Sequence, residues 1–437
     1  MKVVKNYTHF IELFLKSVAC WDWYTKPERA HQIIINNLYL ALVMFSLANT
    51  SISLTVHLYT DWTDVMSSLD SMADGLPVIV AVFIVAYFAS HKTELYDLVN
   101  YMNTMFKWRS AHGLTNMTMW QSYKTAKTFA YLYTACTLFS VATYALLPVI
   151  AYLLFEKPLQ HWIYMDVTNN FHLFLILIRQ CMSQVFVGLA VGQLGVFFAC
   201  HSILLCGQID LLCCSLQNVR FTALMLRGVQ HGALVKQYRG IEQEERHNYL
   251  YNKSEMVDSH YHYDEKVNIQ FKKTSQFDIY SSEYEDATCA ALRECAQVAR
   301  VIKSYKDRFE SFVSPLLVLR VVQVTLYLCT LLYTTSEKFD MVTVEYLAAV
   351  ALDMFVYCYF GNQITLQSDR VSSSAYYSGW YCCGKRGRRL LLHVLLSHHR
   401  SVLVRAGRFL PMNLHTFLKI LKTSFSYYTL LVNVNEK

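Results

Sequence analysis

Positive charge in this chain alternates from one side to the other of its apolar stretches. Seven such stretches stand out, at residues 33–59, 66–90, 128–155, 171–205, 315–334, 342–363 and 414–434. Lys and Arg gather in every second connection. Five precede the first stretch, five lie between the second and third, fourteen between the fourth and fifth, and eight between the sixth and seventh. The remaining connections and the C-terminal end hold only Lys157, Lys338 and Lys437. Cytoplasmic segments of membrane proteins are the ones enriched in Lys and Arg. A distribution of 32 against 3 therefore predicts a cytoplasmic N-terminus and an extracellular C-terminus.

Composition agrees. The chain has 437 residues, 54% hydrophobic and 16% charged, and a membrane helix needs about 20 mostly apolar residues. The expected fold is all-α: a polytopic membrane protein of seven transmembrane helices. Fourteen Gly and six Pro argue against disorder, and against a transporter assembled from many broken helices. Residues 1–30 have scattered charge and no continuous apolar core, so they do not read as a cleavable signal peptide. The net charge of +7 comes from the inner loops and is no nucleic-acid footprint. None of the 13 cysteines falls in an outer loop, so no extracellular disulfide framework is expected. The sequons at Asn6, Asn116 and Asn252 lie inside and Asn49 lies in a span, so no N-glycan is expected.

The chain reads as one domain: residues 1–205 hold four spans, 206–314 cytoplasmic helices, 315–363 two spans, 364–413 a second cytoplasmic region and 414–437 the last span. The outer loops are too short for a ligand-binding ectodomain, so a small ligand must reach a site among the helices. Asp61, Asp64, Asp70, Asp74 and Glu156 near them are ordinary solvated acids or a bias toward cations. In the fourth-to-fifth connection, Leu292, Cys295, Ala299, Ile302, Phe309 and Phe312 recur at helical period. They predict a long amphipathic helix that runs into the fifth span and packs on residues 211–237. Between these lies a polar, Tyr-rich insertion at about 240–286, read as mobile. Cys382 and Cys383, beside Lys385, Arg386, Arg388 and Arg389, are either a palmitoylation site or two buried thiols.

No Walker loop, nucleophile elbow, HExxH or paired-cysteine spacing is present, so no enzyme, metal site or cofactor is expected. His398 and His399 point to different sides of a helix and make a poor metal site. Ionisable residues inside spans are functional candidates; here they are Arg179, Arg320, Asp353, Lys419 and Lys422. Asp353 is placed to pair with Arg179 or Arg320 and fix a helix interface, or to act in conduction or gating. On the last span, at about 100° per residue, Lys419, Lys422, Ser426, Thr429 and Asn433 share a stripe roughly 80° wide. Leu430 and Val434 flank it at the outer end, while Ser424 and Tyr428 face away. Such a stripe either lines a water-filled path closed by a hydrophobic constriction or bonds to neighbouring helices.

The C-terminal third resembles the insect odorant receptor family. The resemblance is carried by Tyr357-Cys358-Tyr359-Phe360-Gly361-Asn362, Leu366-Gln367-Ser368 and Ala375-Tyr376-Tyr377-Ser378-Gly379-Trp380. It resumes at Pro411-Met412-Asn413-Leu414 and runs from Phe417 to Thr429. The polarity, short outer loops and long fourth-to-fifth connection fit the rest of the chain to the same family.

The resemblance implies a ligand-gated, non-selective cation channel of four subunits, with a pore lined by the last helix and contacts through a cytoplasmic anchor. The ending TSFSYYTLLVNV is similar to that of odorant-tuning subunits rather than to the shared co-receptor, which would then be the partner in a heterotetramer of the sensory-neuron dendritic plasma membrane. Lys422, Ser426, Thr429, Leu430, Asn433 and Val434 are the expected pore and gate residues, with the gate near Leu430 and Val434. Residues 389–400 match the half-helix of the anchor, and the 240–286 insertion departs from the family's shorter connection.

The resemblance also implies an apolar pocket for volatile ligands between the second, third, fourth and sixth spans. Its expected lining is Ile79, Phe83, Tyr144, Pro148, Tyr152, Met182, Phe186, Tyr346 and Val350. Recognition by shape and dispersion suits broad tuning, since a buried methylene contributes only about 0.8 kcal/mol. A gustatory-type receptor channel shares the polarity but would end in a TYhhhhhQF-like motif. A metabotropic seven-helix receptor would need an external N-terminus, which the five basic residues before the first stretch oppose.

Overall fold

The structure, a computed structural model, describes residues 7–25, 27–60, 69–113, 117–155, 170–237, 281–337, 341–398 and 402–435. Everything below refers to these residues. The insertion expected at 240–286 falls outside them up to residue 280, as does His399.

The chain is a bundle of long helices. In order they are α1 (His9–Lys16), α2 (Ala30–Thr60), α3 (Leu69–Ser90), α4 (Lys92–Met105), α5 (Trp120–Phe155), α6 (Asn170–Gln217), α7 (Val219–Leu226), α8 (His231–Gln237), α9 (Glu285–Glu337), α10 (Met341–Tyr376), α11 (Lys385–His398) and α12 (Leu414–Asn435). The seven apolar stretches, the second from residue 69 on, lie in α2, α3, α5, α6, α9, α10 and α12. Four helices among the described residues are long and apolar enough to cross a bilayer: Ala30–Val56, Ile178–Gln217, Ser282–Tyr333 and Leu347–Tyr376. A fifth is added if Gly75–Ser90 and Lys92–Met105, bent by 70° at His91, count as one span. The last helix is not among these, since Lys419, Lys422 and a run of hydroxyls dilute its apolar character.

The core forms around α9, which touches α3, α4, α6, α7, α10, α11 and α12. The amphipathic stripe explains why. Leu292, Cys295, Ala299, Ile302, Phe309 and Phe312 are all buried, as is Tyr305 between them. Removing one apolar face from water or lipid demands neighbours along its whole length. They are supplied by α6 and α7 on one side, as the 211–237 prediction required, and by α11 on another. Phe88, Phe197, Phe198, Phe309 and Phe312 meet there with ring centroids 5.4–6.2 Å apart.

Two features of the fold were illegible in periodicity. Helices α5 and α6 approach closely through Gly188-x-x-x-Gly192: a Cβ at Gly188 would lie 2.1 Å from a Val141 methyl, and one at Gly192 would lie 2.8 Å from Thr137. Small residues four apart let two helix backbones meet. The basic N-terminal segment is also packed rather than free. Phe10, Ile11 and Leu15 are buried. Tyr7 N–H donates to Asn103 at 2.9 Å, and Asp22 accepts from Lys92 at 2.5 Å and from Tyr96 Oη at 2.8 Å.

The family-like motifs build the junction below α12. Gly361 lets α10 approach the 402–412 segment, since a Cβ there would stand 2.2 Å from the Met412 carbonyl oxygen. Val402 N–H donates to Ser368 Oγ at 3.4 Å. Strands β1 (Arg405–Ala406) and β2 (Leu410–Pro411) form a small hairpin. Its turn uses positive φ at Gly407 and Arg408 and docks on α9, where Gly407 N–H donates to the Ser314 carbonyl at 3.3 Å. Asn413 then caps α12, its Oδ1 accepting from Thr416 N–H at 2.9 Å.

Candidate functional site

Helix α12 packs on α9 and α10 with one face only. Thr416, Ile420 and Ser424, spaced by four, are buried, and Phe417, Leu421 and Tyr428 are half-buried beside them. The Ser424 hydroxyl shares its one proton between Ile420 O of its own helix at 3.0 Å and the Thr325 carbonyl of α9 at 3.2 Å. The Phe417 ring meets Phe355 of α10 edge-on at 5.5 Å. The opposite face carries the polar stripe. Lys419, Lys422 and Ser426 are exposed, Thr429 is half-buried, and Leu430 is 60% exposed. Thr429 and Thr423 turn their hydroxyls onto their own helix, to Ser426 O and Lys419 O, both at 2.8 Å. The stripe therefore bonds to no neighbouring helix of this chain among the described residues. The side chains of Asn433 and Val434 lie outside them.

Five of the nine expected pocket residues have described side chains. Phe186 of α6 is buried and Val350 of α10 is half-buried against Tyr327 and Leu331 of α9. Ile79 and Phe83 occupy the uncovered face of α3, whose inward face is Val80, Ile84, Val85 and Phe88. Met182 is 49% exposed on α6. The structure thus brings Phe186 and Val350 into the bundle and leaves Ile79, Phe83 and Met182 on its surface. Tyr144, Pro148, Tyr152 and Tyr346 are carried by α5 and α10, and their side chains lie outside the described residues. The residues before Tyr144 and Tyr346 do meet: Thr143 Oγ1 donates to Glu345 at 3.4 Å, joining α5 to α10.

Tyr327 and Leu331 of the fifth stretch, absent from the expected lining, pack against Val350. Gln193, also absent from it, donates to Thr134 at 3.2 Å across α5 and α6 and keeps a buried oxygen without a partner. The signal available was the one amide in the apolar run from Val185 to Cys200. A shallow cleft of about 470 Å³ lies elsewhere, lined by Arg300, Lys303, Ser304, Asp307, Arg308 and Ser311 of α9. Its lining is charged and unlike the apolar pocket expected for a volatile ligand.

Of the ionisable residues within the spans, Asp353 pairs with Arg320, not with Arg179. Both are buried. Arg320 also donates to Gln323, and Tyr133 Oη of α5 donates to Asp353 Oδ1 at 2.6 Å. Gly195 of α6 leaves just enough room, since a Cβ there would sit 3.3 Å from both Asp353 Oδ1 and Tyr133 Oη. Lys419 and Lys422 take no part. Outside the spans, Cys383 is buried and its thiol is pushed up by burial, while Cys382 is half-buried. Burial also pushes the His398 imidazole below its ordinary range, aided by Lys303. No cluster of three or more metal-ligating side chains occurs among the described residues.

Comparison with known proteins gives a consistent result. A family pattern described as 7tm Odorant receptor matches residues 65–425. Putative odorant receptor 85e of Drosophila melanogaster is 24% identical over 429 residues, covering 94% of this chain and 88% of that protein. Among solved structures, the insect olfactory receptor OR5 of Machilis hrabei superposes with a TM-score of 0.72 at 14% identity, covering 98% of this chain and 99% of that one. The same receptor in complex with eugenol superposes with a TM-score of 0.68 over the same shares. At such low identity these structures attest the fold alone.

Proposed function

Because the chain belongs to the 7tm odorant receptor family, we propose that it is the odorant-binding subunit of a heteromeric, ligand-gated, non-selective cation channel. The observation that carries this reading is the exposed polar face of α12. Lys419, Lys422 and Ser426 lie opposite the buried Thr416, Ile420 and Ser424. A span-length helix that turns its polar side away from its own bundle needs a polar environment there, because polar groups facing lipid are costly. Subunits arranged around a common axis supply it as a water-filled path. Leu430 and Val434 form the constriction at the outer end, and Thr429 and Asn433 continue the lining.

In this reading all seven long helices span the membrane, with the N-terminus cytoplasmic and the C-terminus outside, as the Lys and Arg distribution requires. The cytoplasmic parts of α9 and α11 make the anchor between subunits. The partner is the family's shared co-receptor, and the location is the dendritic plasma membrane of a sensory neuron. The ligand is a small volatile molecule. Its pocket lies in the outer half of the bundle, among Phe186, Val350, Tyr144, Pro148, Tyr152 and Tyr346, with Tyr327 and Leu331 added from α9. Ile79, Phe83 and Met182 line its mouth or face lipid. The relative solved in complex with eugenol supports a small volatile ligand.

Whole-cell current decides the matter in cells expressing this chain, the co-receptor, or both, with G-protein signalling blocked. A fast cation current that some odorants evoke only in the pair is the expected result. Loss of current on blocking G proteins would overturn the channel reading.

A further inference from the structure

Resting on the reading just given, we propose that Tyr133, Asp353 and Arg320 form the joint that couples the outer half of the bundle to the pore helix. Three contacts lie in order along one short stretch of α10. Val350 packs on Tyr327 and Leu331 in the outer half. Asp353 follows with its ion pair to Arg320 and its hydrogen bond from Tyr133. Phe355 then meets Phe417 of α12 at 5.5 Å. From Val350 to Phe355 the helix rises only about 8 Å.

The partner helix repeats the arrangement. Arg320 holds Asp353, and five residues further along α9 the Thr325 carbonyl accepts from Ser424 of α12. The last helix is thus fastened to both sides of the ion pair. Helix α5 enters through Tyr133, whose ring stacks on Phe129 at 5.5 Å, and Phe129 meets Phe360 of α10 edge-on at 5.1 Å. Helix α6 comes close at Gly195, where a Cβ would sit 3.3 Å from both Asp353 Oδ1 and Tyr133 Oη.

Apolar helix interfaces tolerate small sliding, because dispersion contacts re-form after a shift. A buried carboxylate does not. Its guanidinium and phenol contacts are directional, and an unpaired charge has no water to fall back on. A ligand that moves α10 against α5 in the outer half must therefore carry α9 along or break the pair. Either way α12 moves, because it is fastened to α9 and α10 together. Packed interfaces of this kind switch between discrete arrangements rather than deform smoothly.

The test uses the full chain expressed with the co-receptor, carrying Tyr133→Phe, Asp353→Asn, or Asp353→Asn with Arg320→Gln. Current is normalised to surface protein. A second readout is the rate at which a charged thiol reagent labels Ser426→Cys in each background, measured above the same background without that cysteine. We expect the single substitutions to shift basal current or the half-maximal odorant concentration by about fivefold or more, and to change the labelling rate. The neutral pair should return both toward the parent.

Parent values in current and in labelling, with normal surface delivery, would overturn the joint. If the parent pair passes no odorant current, the channel reading fails by itself. Labelling then judges the joint alone: a rate unchanged by Asp353→Asn overturns it, and a changed rate supports it. Should Asp353→Asn not reach the surface, Tyr133→Phe carries the same test, since it removes one hydroxyl and keeps the ring.

Discussion

The Ser424 hydroxyl of the last helix reaches the Thr325 carbonyl of α9 at 3.2 Å, on the face where Thr416 and Ile420 are also buried. A carbonyl inside a helix already accepts from its own backbone, so Thr325 uses its second lone pair. With Ser424 fixed inward, Ser426, two residues on and about 160° round the helix, is left outside.

Ser424→Leu should therefore separate α12 from α9, while Ser426→Leu should leave their contact intact. Forcing a larger side chain into a packed site costs about 1–3 kcal/mol, and Ser424 is 1% exposed. Thermal unfolding of the purified chain in detergent should show a lower midpoint for Ser424→Leu and none of that loss for Ser426→Leu. Equal midpoints would mean that Ser424 does not fasten the helix.

Gly361→Ala should abolish surface delivery. The added methyl would stand 2.2 Å from the Met412 carbonyl oxygen, a backbone atom that cannot step aside. Gly75→Ala is the control, because no atom of the described residues lies within 4 Å of a Cβ there. Surface biotinylation of the two variants beside the parent checks the contrast.

Acid should weaken the packing of α11 on α9 through His398. The ring is buried, its Nδ1 lies 2.9 Å from Ser397 Oγ, and its Nε2 is unpaired. Burial, against a backbone hydrogen bond to Val394 and with a smaller push from Lys303, lowers its pKa in the folded chain below the ordinary 6.5. The unfolded chain then binds the proton more readily. Stability from this group is complete above about pH 6.5 and declines as pH falls below it, by up to about 1.4 kcal/mol per pH unit. Melting curves at pH 7.5 and 5.5 should show a smaller acid shift in His398→Gln than in the parent. Identical shifts would remove His398 from the account.

Substitutions at the proposed pore positions of α12 should act on conduction and spare folding. Val434→Ala should raise basal current by loosening the outer constriction, and Lys422→Glu should change cation permeation. Both are read by whole-cell recording of the pair at matched surface levels. Unchanged leak in the first, or unchanged conductance and ion selectivity in the second, would take that residue off the pore wall.

Much of the fold was legible in the residues because its signals are local. The stripe from Leu292 to Phe312 predicted a long helix with one buried face, and all six of its residues are buried. The helical wheel of the last span put Ser424 opposite Lys419 and Lys422, and the structure buries the first and exposes the other two. The motif glycine at Gly361 was recognisable as a pattern, but its reason, a close approach to Met412, belongs to a contact 51 residues away in sequence. The pocket was less legible. On one helix an apolar residue facing lipid looks the same as one facing a ligand, and Phe83 and Phe186 differ only in what the other helices do around them.

The sequence by itself determined the class of molecule, the long helices and the polar face of the last one. Chain periodicity and charge need only a residue's neighbours in the chain. It left Asp353 with two arginines to choose between. Only the tertiary structure decided for Arg320, brought Tyr133 to the same carboxylate and closed the space with Gly195. The physical reason is that a buried charge takes whatever partner helix packing brings within hydrogen-bond reach. That packing is fixed by shape across the bundle, here by the glycines where α6 meets α5 and the aromatic cluster between α6 and α9.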